Sequence, residues 1–229
     1  MKSYRLPIAI TILMMVSTAL FAQETPNAET QFLLSKGGPV SFSGFGAPIV
    51  EFSTVDGELG VSTGGGGAVL INQTFFFGGY GMGLATDMPQ YDLYVKDEFT
   101  GMVSPYRNRR PMLGHGGLWL GYIHNTKSIF HWSISSKIGW GAVSMIDKEY
   151  RDMDNELGWD GVFVLTPQAE FEINMLKWFK INFGLGYRYV SGVNQTYLDQ
   201  NGLEKAYFDK NAFNSPVGSI SLMFGNFLK

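Results

Sequence analysis

Glu170 and Glu172 stand two residues apart, with Lys180 and Arg188 one hairpin later and Glu51 and Lys137 upstream. Paired carboxylates facing cations have two uses. They can carry ions or relay protons along a passage, or they can neutralise one another as a buried ionic network. The three histidines, His115, His124 and His131, share no short ligand spacing, so no metal site is expected. The segment 146–160 carries Asp152, Asp154 and Glu156 in alternation, as a calcium loop would, but Leu157 occupies the place of the sharp-turn glycine. It reads as a solvated acidic loop. Arg107, Arg109 and Arg110 form a basic cluster suited to lipid phosphates. The tract Gly64–Gly67 is followed by no Lys-Ser/Thr pair and starts no helix, so it is a relief of crowding in a bending wall, not a phosphate cradle.

Such side chains act together only if a scaffold puts them on one face. That scaffold is legible in FKINFGLGYRY, Phe179–Tyr189. Phe179, Ile181, Phe183, Leu185, Tyr187 and Tyr189 alternate without error with Lys180, Asn182, Gly184, Gly186 and Arg188. Period two is a strand with one apolar face. Its length and its aromatic ends match a tilted strand crossing a bilayer, which needs ~9–11 residues.

Seven further segments read as strands: Val40–Ser53, Leu59–Ile71, Phe75–Ala85, Met112–His124, Ile129–Val143, Val162–Met175 and Val217–Phe227. In the third, Phe76, Tyr80, Met82 and Leu84 form the apolar face, opposed by Gly79, Gly81 and Gly83. The fourth is ambiguous, because Leu118, Leu120 and Tyr122 compete with Trp119 and Ile123. The fifth is clear, with Phe130, Trp132, Ile134, Ile138 and Trp140 against His131, Ser133, Ser135 and Lys137. In the sixth, Phe163, Leu165, Ala169, Phe171 and Ile173 oppose Thr166, Gln168, Glu170 and Glu172. If Met175 faces Phe179, paired numbers sum to 354. Ile173 then meets Ile181, Phe171 meets Phe183 and Asn174 meets Lys180, which puts both apolar sets on one side.

The connections alternate between tight turns (Asn72–Thr74, Asn125–Ser128, Leu176–Trp178) and long loops (87–110, 146–160, 191–215), with a short link at Val55–Glu58. Of 17 basic and 20 acidic residues, 23 lie in that short link and the three long loops together. One short-turn end and one charged, long-loop end describe an all-β, eight-stranded antiparallel up-and-down transmembrane β-barrel. A soluble periplasmic barrel around a greasy ligand is the alternative, but its polar face would be rich in Lys and Glu. Here that face is mostly Gly, Ser, Asn and Gln, which suits the cramped interior of a narrow barrel. The enclosed charges Lys137, Glu170, Glu172, Lys180 and Arg188 are expected to form an interior network, with Glu51 also facing inward. Eight strands filled with side chains leave no open channel.

The first 22 residues read as an export signal: Lys2 and Arg5, an apolar run to Leu20, and Ala22 before a polar start. Residues 23–38 form a periplasmic tail and 39–229 the barrel. Loss of two basic residues takes the charge of −3 to −5, which argues against a nucleic-acid partner. Cysteine is absent, which excludes a disulfide scaffold.

The alternation of short and long connections in an exported, cysteine-free chain resembles the small outer-membrane β-barrels of Gram-negative bacteria. The hairpin GELGVSTGGGGAVLINQTFFFGGYGMGL, residues 57–84, is similar to Bacteroidetes outer-membrane barrel proteins of uncharacterised function. The resemblance implies fold and location and brings no catalytic residue. Such barrels end on an aromatic, whereas this chain ends Phe227-Leu228-Lys229. The expectation is a monomer in outer-membrane lipid, without catalysis, cofactor or metal, with a structural or surface-interaction role. Envelope lipids or extracellular partners would be met through loops 87–110, 146–160 and 191–215. The functional alternative is gated transport of a small solute.

Overall fold

A computed structural model describes residues 40–147 and 157–227. The signal segment 1–22, the tail 23–38 and the alternating Asp152, Asp154 and Glu156 lie outside the described residues. Eleven strands run through the described part: β1 (Phe42–Val55), β2 (Glu58–Ile71), β3 (Phe75–Leu84), β4 (Tyr91–Lys96), β5 (Val103–His124), β6 (Phe130–Asp147), β7 (Trp159–Leu176), β8 (Phe179–Ser191), β9 (Thr196–Leu198), β10 (Glu204–Ala206) and β11 (Ser215–Gly225). Eight of them (β1, β2, β3, β5, β6, β7, β8 and β11) pair antiparallel in the order β3-β2-β1-β11-β8-β7-β6-β5. A further pairing of β3 with β5 closes the barrel.

The stagger of the closure can be read from the register. Phe42 pairs with Ile71, which pairs with Phe75, then Tyr122, Ile134, Ala169, Leu185, Gly218 and finally Phe52. One circuit returns to β1 at 52 rather than 42, a shift of ten residues. Ten residues of ~3.3 Å against eight spacings of ~4.8 Å tilt the strands by about 40° from the barrel axis. At that tilt the ten steps from Phe179 to Tyr189 rise about 25 Å along the axis, the height of an apolar membrane band.

Turn chemistry fixes the ends. Asp56 and Gly57 have φ of 52° and 85°, the positive pair that a two-residue hairpin matching strand twist requires. In the β7–β8 hairpin Ile173, Phe171 and Asn174 meet Ile181, Phe183 and Lys180 as the alternation requires. At the turn itself the register slips, and Leu176, not Met175, faces Phe179. Within β7 the ladder to β8 is interrupted at Thr166 and Pro167, between the pairs Leu165–Tyr189 and Gln168–Gly186. Proline has no N–H to give.

Two faces separate cleanly over most of the wall. Phe52, Trp132, Ile134, Trp140, Phe171, Phe183, Leu185 and Ile220 point out, and Leu185 is 74% exposed. On β3 the expected faces are reversed: Phe76, Tyr80 and Met82 are buried inside, while Phe77 points out alongside the glycines. The cause is the register with β2. Leu70 faces inward and Phe76 is its partner, whereas Val69 faces outward opposite Phe77. On β5 the ambiguity resolves with Leu118 and Leu120 outside and Trp119 and Ile123 inside. Gly66 opens the space for that indole, since a Cβ there would lie 2.8 Å from the Trp119 ring.

Two expected loops instead contain strands. Within 87–110, Tyr91, Leu93 and Val95 alternate, and β4 pairs with the outer end of β5 to extend the wall beyond the barrel. Within 191–215, β9 pairs with β10, and the residues that follow turn inward, burying Phe208 and Phe213. A hydrophobic pair at that spacing is better satisfied in the mouth of a barrel than in water.

Candidate functional site

The lumen face of β1, β6, β7 and β8 carries Glu51, Lys137, Glu170, Glu172, Lys180 and Arg188, all buried, three of each sign. Tilt and pleat stack them at three levels. Nearest the short turns, Glu172 Oε2 accepts from Lys180 Nζ at 3.2 Å and lies 2.9 Å from His131 Nε2. His131 Nδ1 is 3.1 Å from the Ser128 carbonyl. The Lys180 ammonium also lies over the Phe227 ring, 4.6 Å from its centroid, a cation–π contact shielded from water.

One level further, Glu170 is held by neutral donors. Ser133 Oγ and Asn182 Nδ2 donate to Oε2 at 2.8 and 3.0 Å, and Ser135 Oγ donates to Oε1 at 2.5 Å. At the third level Arg188 donates to Glu51 Oε1 at 3.3 Å, and Lys137 lies 3.6 Å from Glu51 Oε2. Lys137 donates to Gln168 at 3.0 Å, and Gln168 donates to Ser219 at 3.3 Å. The remaining guanidinium donors of Arg188 reach the carbonyls of Phe213 and Thr54 at 3.1 and 3.3 Å.

The five residues assigned to an interior network are thus brought to one lumen, but their pairing differs from expectation. Lys180 meets Glu172, whereas Lys137 and Arg188 both turn to Glu51. The reason is height: Arg188 stands eight residues beyond Lys180 along β8, level with Glu51 across the lumen. Sequence reasoning placed Glu51 inside and left it out of the network, although it is the carboxylate on which two cations converge. The neutral partners Ser133, Ser135, Gln168 and Asn182 were legible as lumen positions from their phase.

Apolar side chains close the remaining space. Phe45, Phe76 and Trp119 meet edge to face at 5.3–5.5 Å beside the polar levels. Toward the long-loop end, Leu113, Val164 and Val190 pack with Met88, Val193, Phe208 and Phe213 from the connections. Charges balanced and bonded beneath an apolar cap make a filled interior, in which a buried ion would need the partner it already has.

The histidines do not converge on a nucleophile. His115 Nδ1 lies 3.1 Å from the Tyr80 hydroxyl, His124 stacks on Trp132 outside, and His131 meets Ser128 through its carbonyl. Among the described residues no group of three His, Asp or Glu side chains is placed to hold a metal. The basic cluster is divided. Asn108, with φ of 56°, makes a bulge on β5, so Arg109 turns inward over Tyr106, Arg110 meets Asp87 at 3.5 Å, and Arg107 is exposed. A bulge re-aims side chains in this way, so the three do not form one phosphate patch.

Outside the barrel proper, two carboxylates organise hairpin tips. Asp97 Oδ1 accepts from the N–H groups of Thr100 and Phe99 at 2.6 and 3.1 Å and from the Thr100 hydroxyl at 2.8 Å. These bonds, the Thr100 amide foremost, hold its carboxyl below the usual range. They present Phe99 at 97% exposure. Asp199 is held low in the same way by the Leu203 amide and then by Lys205. Burial pushes the Tyr207 hydroxyl up to about 12.

No family model matches the chain, and no curated protein matches it. Among solved structures, neisserial surface protein A matches with a TM-score of 0.51 at 12% identity, over 83% of this chain and 100% of that one. Ail, the attachment invasion locus protein of Yersinia pestis, matches with a TM-score of 0.43 at 11% identity, over 80% and 96%. A major outer membrane protein from Thermus thermophilus gives 0.35 at 11%, over 80% and 98%. At such identities the likeness to the neisserial protein is one of fold: a closed, antiparallel, eight-stranded barrel of the small outer-membrane kind.

Proposed function

We propose that this chain is an integral outer-membrane protein whose lumen conducts nothing and whose work is done by the strands and connections beyond the bilayer. The observation that carries this is the contrast between the two faces of one wall. Outside, Trp140, Leu185 and Phe130 are more than half exposed, in an apolar band about 25 Å tall. Inside, six charges are neutralised in pairs or held by hydroxyls and amides. A soluble barrel would reverse that distribution. Aromatic contacts near the short-turn end, Phe75–Tyr122, Phe130–Phe171 and Phe179–Phe224, and Trp140–Phe163 toward the other end, suit the two interfacial girdles.

That arrangement supports a structural or surface-interaction role, without catalysis, as the proposed reading. The Gly-rich sequence of hairpin 57–84, similar to that of Bacteroidetes outer-membrane barrel proteins, fits this reading. The test is fractionation with heat-modifiable migration on gels. Recovery in the outer-membrane fraction, with folded and boiled forms migrating apart, is expected. A freely soluble periplasmic protein would overturn the reading. Single-channel recording addresses transport: discrete, solute-dependent openings would favour a gated passage.

A further inference from the structure

The outer edge of β4 is a regular strand that pairs on one side alone among the described residues. Edge strands are ordinarily blunted by a bulge or a proline. Here the bulge at Asn108 lies on the inner partner, β5, and β4 itself, Tyr91-Asp92-Leu93-Tyr94-Val95-Lys96, carries neither an extra residue nor a proline. Asp92 accepts from the Asn108 amide at 3.0 Å and has no cation partner, and Lys96 has no carboxylate partner, among the described residues.

We infer that β4 pairs antiparallel with β4 of a second copy of this chain held in an apposed membrane. The sequence of the strand is complementary to itself in one register. With Tyr94 on the two-fold axis, paired numbers sum to 188. Asp92 then faces Lys96 of the second copy and Lys96 faces its Asp92. On the other face Leu93 meets Val95 and Val95 meets Leu93. Both cross-strand pairs of charges are opposite in sign and both apolar pairs match, which is what stabilises neighbouring strands. A two-fold interface uses the same patch on both copies.

The direction of the strand sets the geometry. β4 extends the barrel wall outward, so an antiparallel partner belongs to a barrel turned end for end. Two copies in one membrane share the same orientation and bring β4 together parallel, setting Asp92 against Asp92 and Lys96 against Lys96. Copies turned end for end stand in two membranes that face each other. The exposed Phe99 and Met102 at the hairpin tip flank the seam. The activity is therefore homotypic adhesion between cells, and it rests on the outer-membrane reading.

The test uses the full chain expressed in two differently labelled cell populations. Asp92→Lys cells and Lys96→Asp cells are each expected to cluster among themselves at least about threefold less than unaltered cells, since both pairs become like-charged. Mixed together, the two variants restore opposite pairs and should adhere to each other as unaltered cells do. The cysteine-free sequence allows a second arm. A single Tyr94→Cys substitution places one thiol on the axis, within the Cα separation a disulfide spans. Mild oxidation should link chains from the two populations, and Ser104→Cys should not. If the mixed variants adhere no better than each alone, or if Tyr94→Cys links chains within one population only or not at all, the inference is overturned. Heat-modifiable migration of every variant is read in parallel, so that loss of the membrane barrel is told apart from loss of adhesion.

Discussion

Arg188 Nε donates to the Phe213 carbonyl at 3.1 Å, a bond from the charge network of the lumen to the connection that fills the outer mouth. The same guanidinium holds Glu51 and the Thr54 carbonyl. One side chain therefore ties three parts of the chain that are far apart in sequence.

Replacing Arg188 by Met leaves Glu51 buried with only Lys137 beside it. Removing one partner of a buried pair costs about 3–5 kcal/mol. Urea unfolding in detergent micelles should show a loss of that size, and Glu51→Gln in the same chain should recover part of it. A double variant no more stable than Arg188→Met would show that Glu51 does not depend on the guanidinium.

The two faces of β8 predict opposite responses. Phe183→Arg places a charge against lipid near mid-band, at about 2–4 kcal/mol. Asn182→Lys places one beside Glu170, whose described partners are all neutral, and should cost less. Refolding measurements that rank the two equally, or in the reverse order, would refute the face assignment.

The glycines of the wall divide by what surrounds them. A Cβ on Gly81 would meet nothing within 4 Å, whereas one on Gly78 would strike the Gly67 carbonyl and the Ala68 backbone. Gly81→Val should therefore leave heat-modifiable folding intact. Gly78→Ala, small as it is, should reduce the folded fraction measurably.

Phe227 lies under Lys180 and beside Phe45, at centroid distances of 4.6 and 6.1 Å. Its removal to Ala leaves a cavity and an ammonium without its ring. A loss of about 3–5 kcal/mol is expected by unfolding, and Phe227→Leu should lose less because the volume is largely kept.

The hairpin tips carry a pH dependence of known sign. Asp97 and Asp199 have folded values below the ordinary carboxylate. The order they contribute is complete above about pH 4, the unfolded value, and is lost as pH falls through the lower folded value. Amide signals of Thr100 and Leu203 should shift in that acid window and stay constant between about pH 5 and 8. A midpoint above about pH 4 at either amide would contradict the bonding described.

Alternation made β6, β7 and β8 legible, because there the lumen face is polar and the outer face is not. The same reasoning reversed β3, where both faces are apolar or glycine and period two carries no sign. What decided it was the pairing of Leu70 with Phe76, a relation between strands that no single segment contains. The charges were legible as enclosed but not as partners. Whether Arg188 meets Glu172 or Glu51 depends on the ten-residue stagger, which emerges from the whole circuit. The bulge at Asn108 was invisible for the same reason, and it dispersed three arginines that look adjacent in sequence.

The stagger has a temporal side. Every other junction of the wall joins barrel strands that follow one another along the chain by a turn or a single connection, but β1 and β11 join the first strand to the last. Loop closure is slower and more costly in entropy the longer the intervening chain. That seam is therefore expected to close last, with the bond from the Asn226 amide to the Gly44 carbonyl across it forming late. Phe227, the next residue, is buried beside Phe45 and Lys180, so a chain halted before the seam closes is expected to show a protease-accessible end on an otherwise protected sheet.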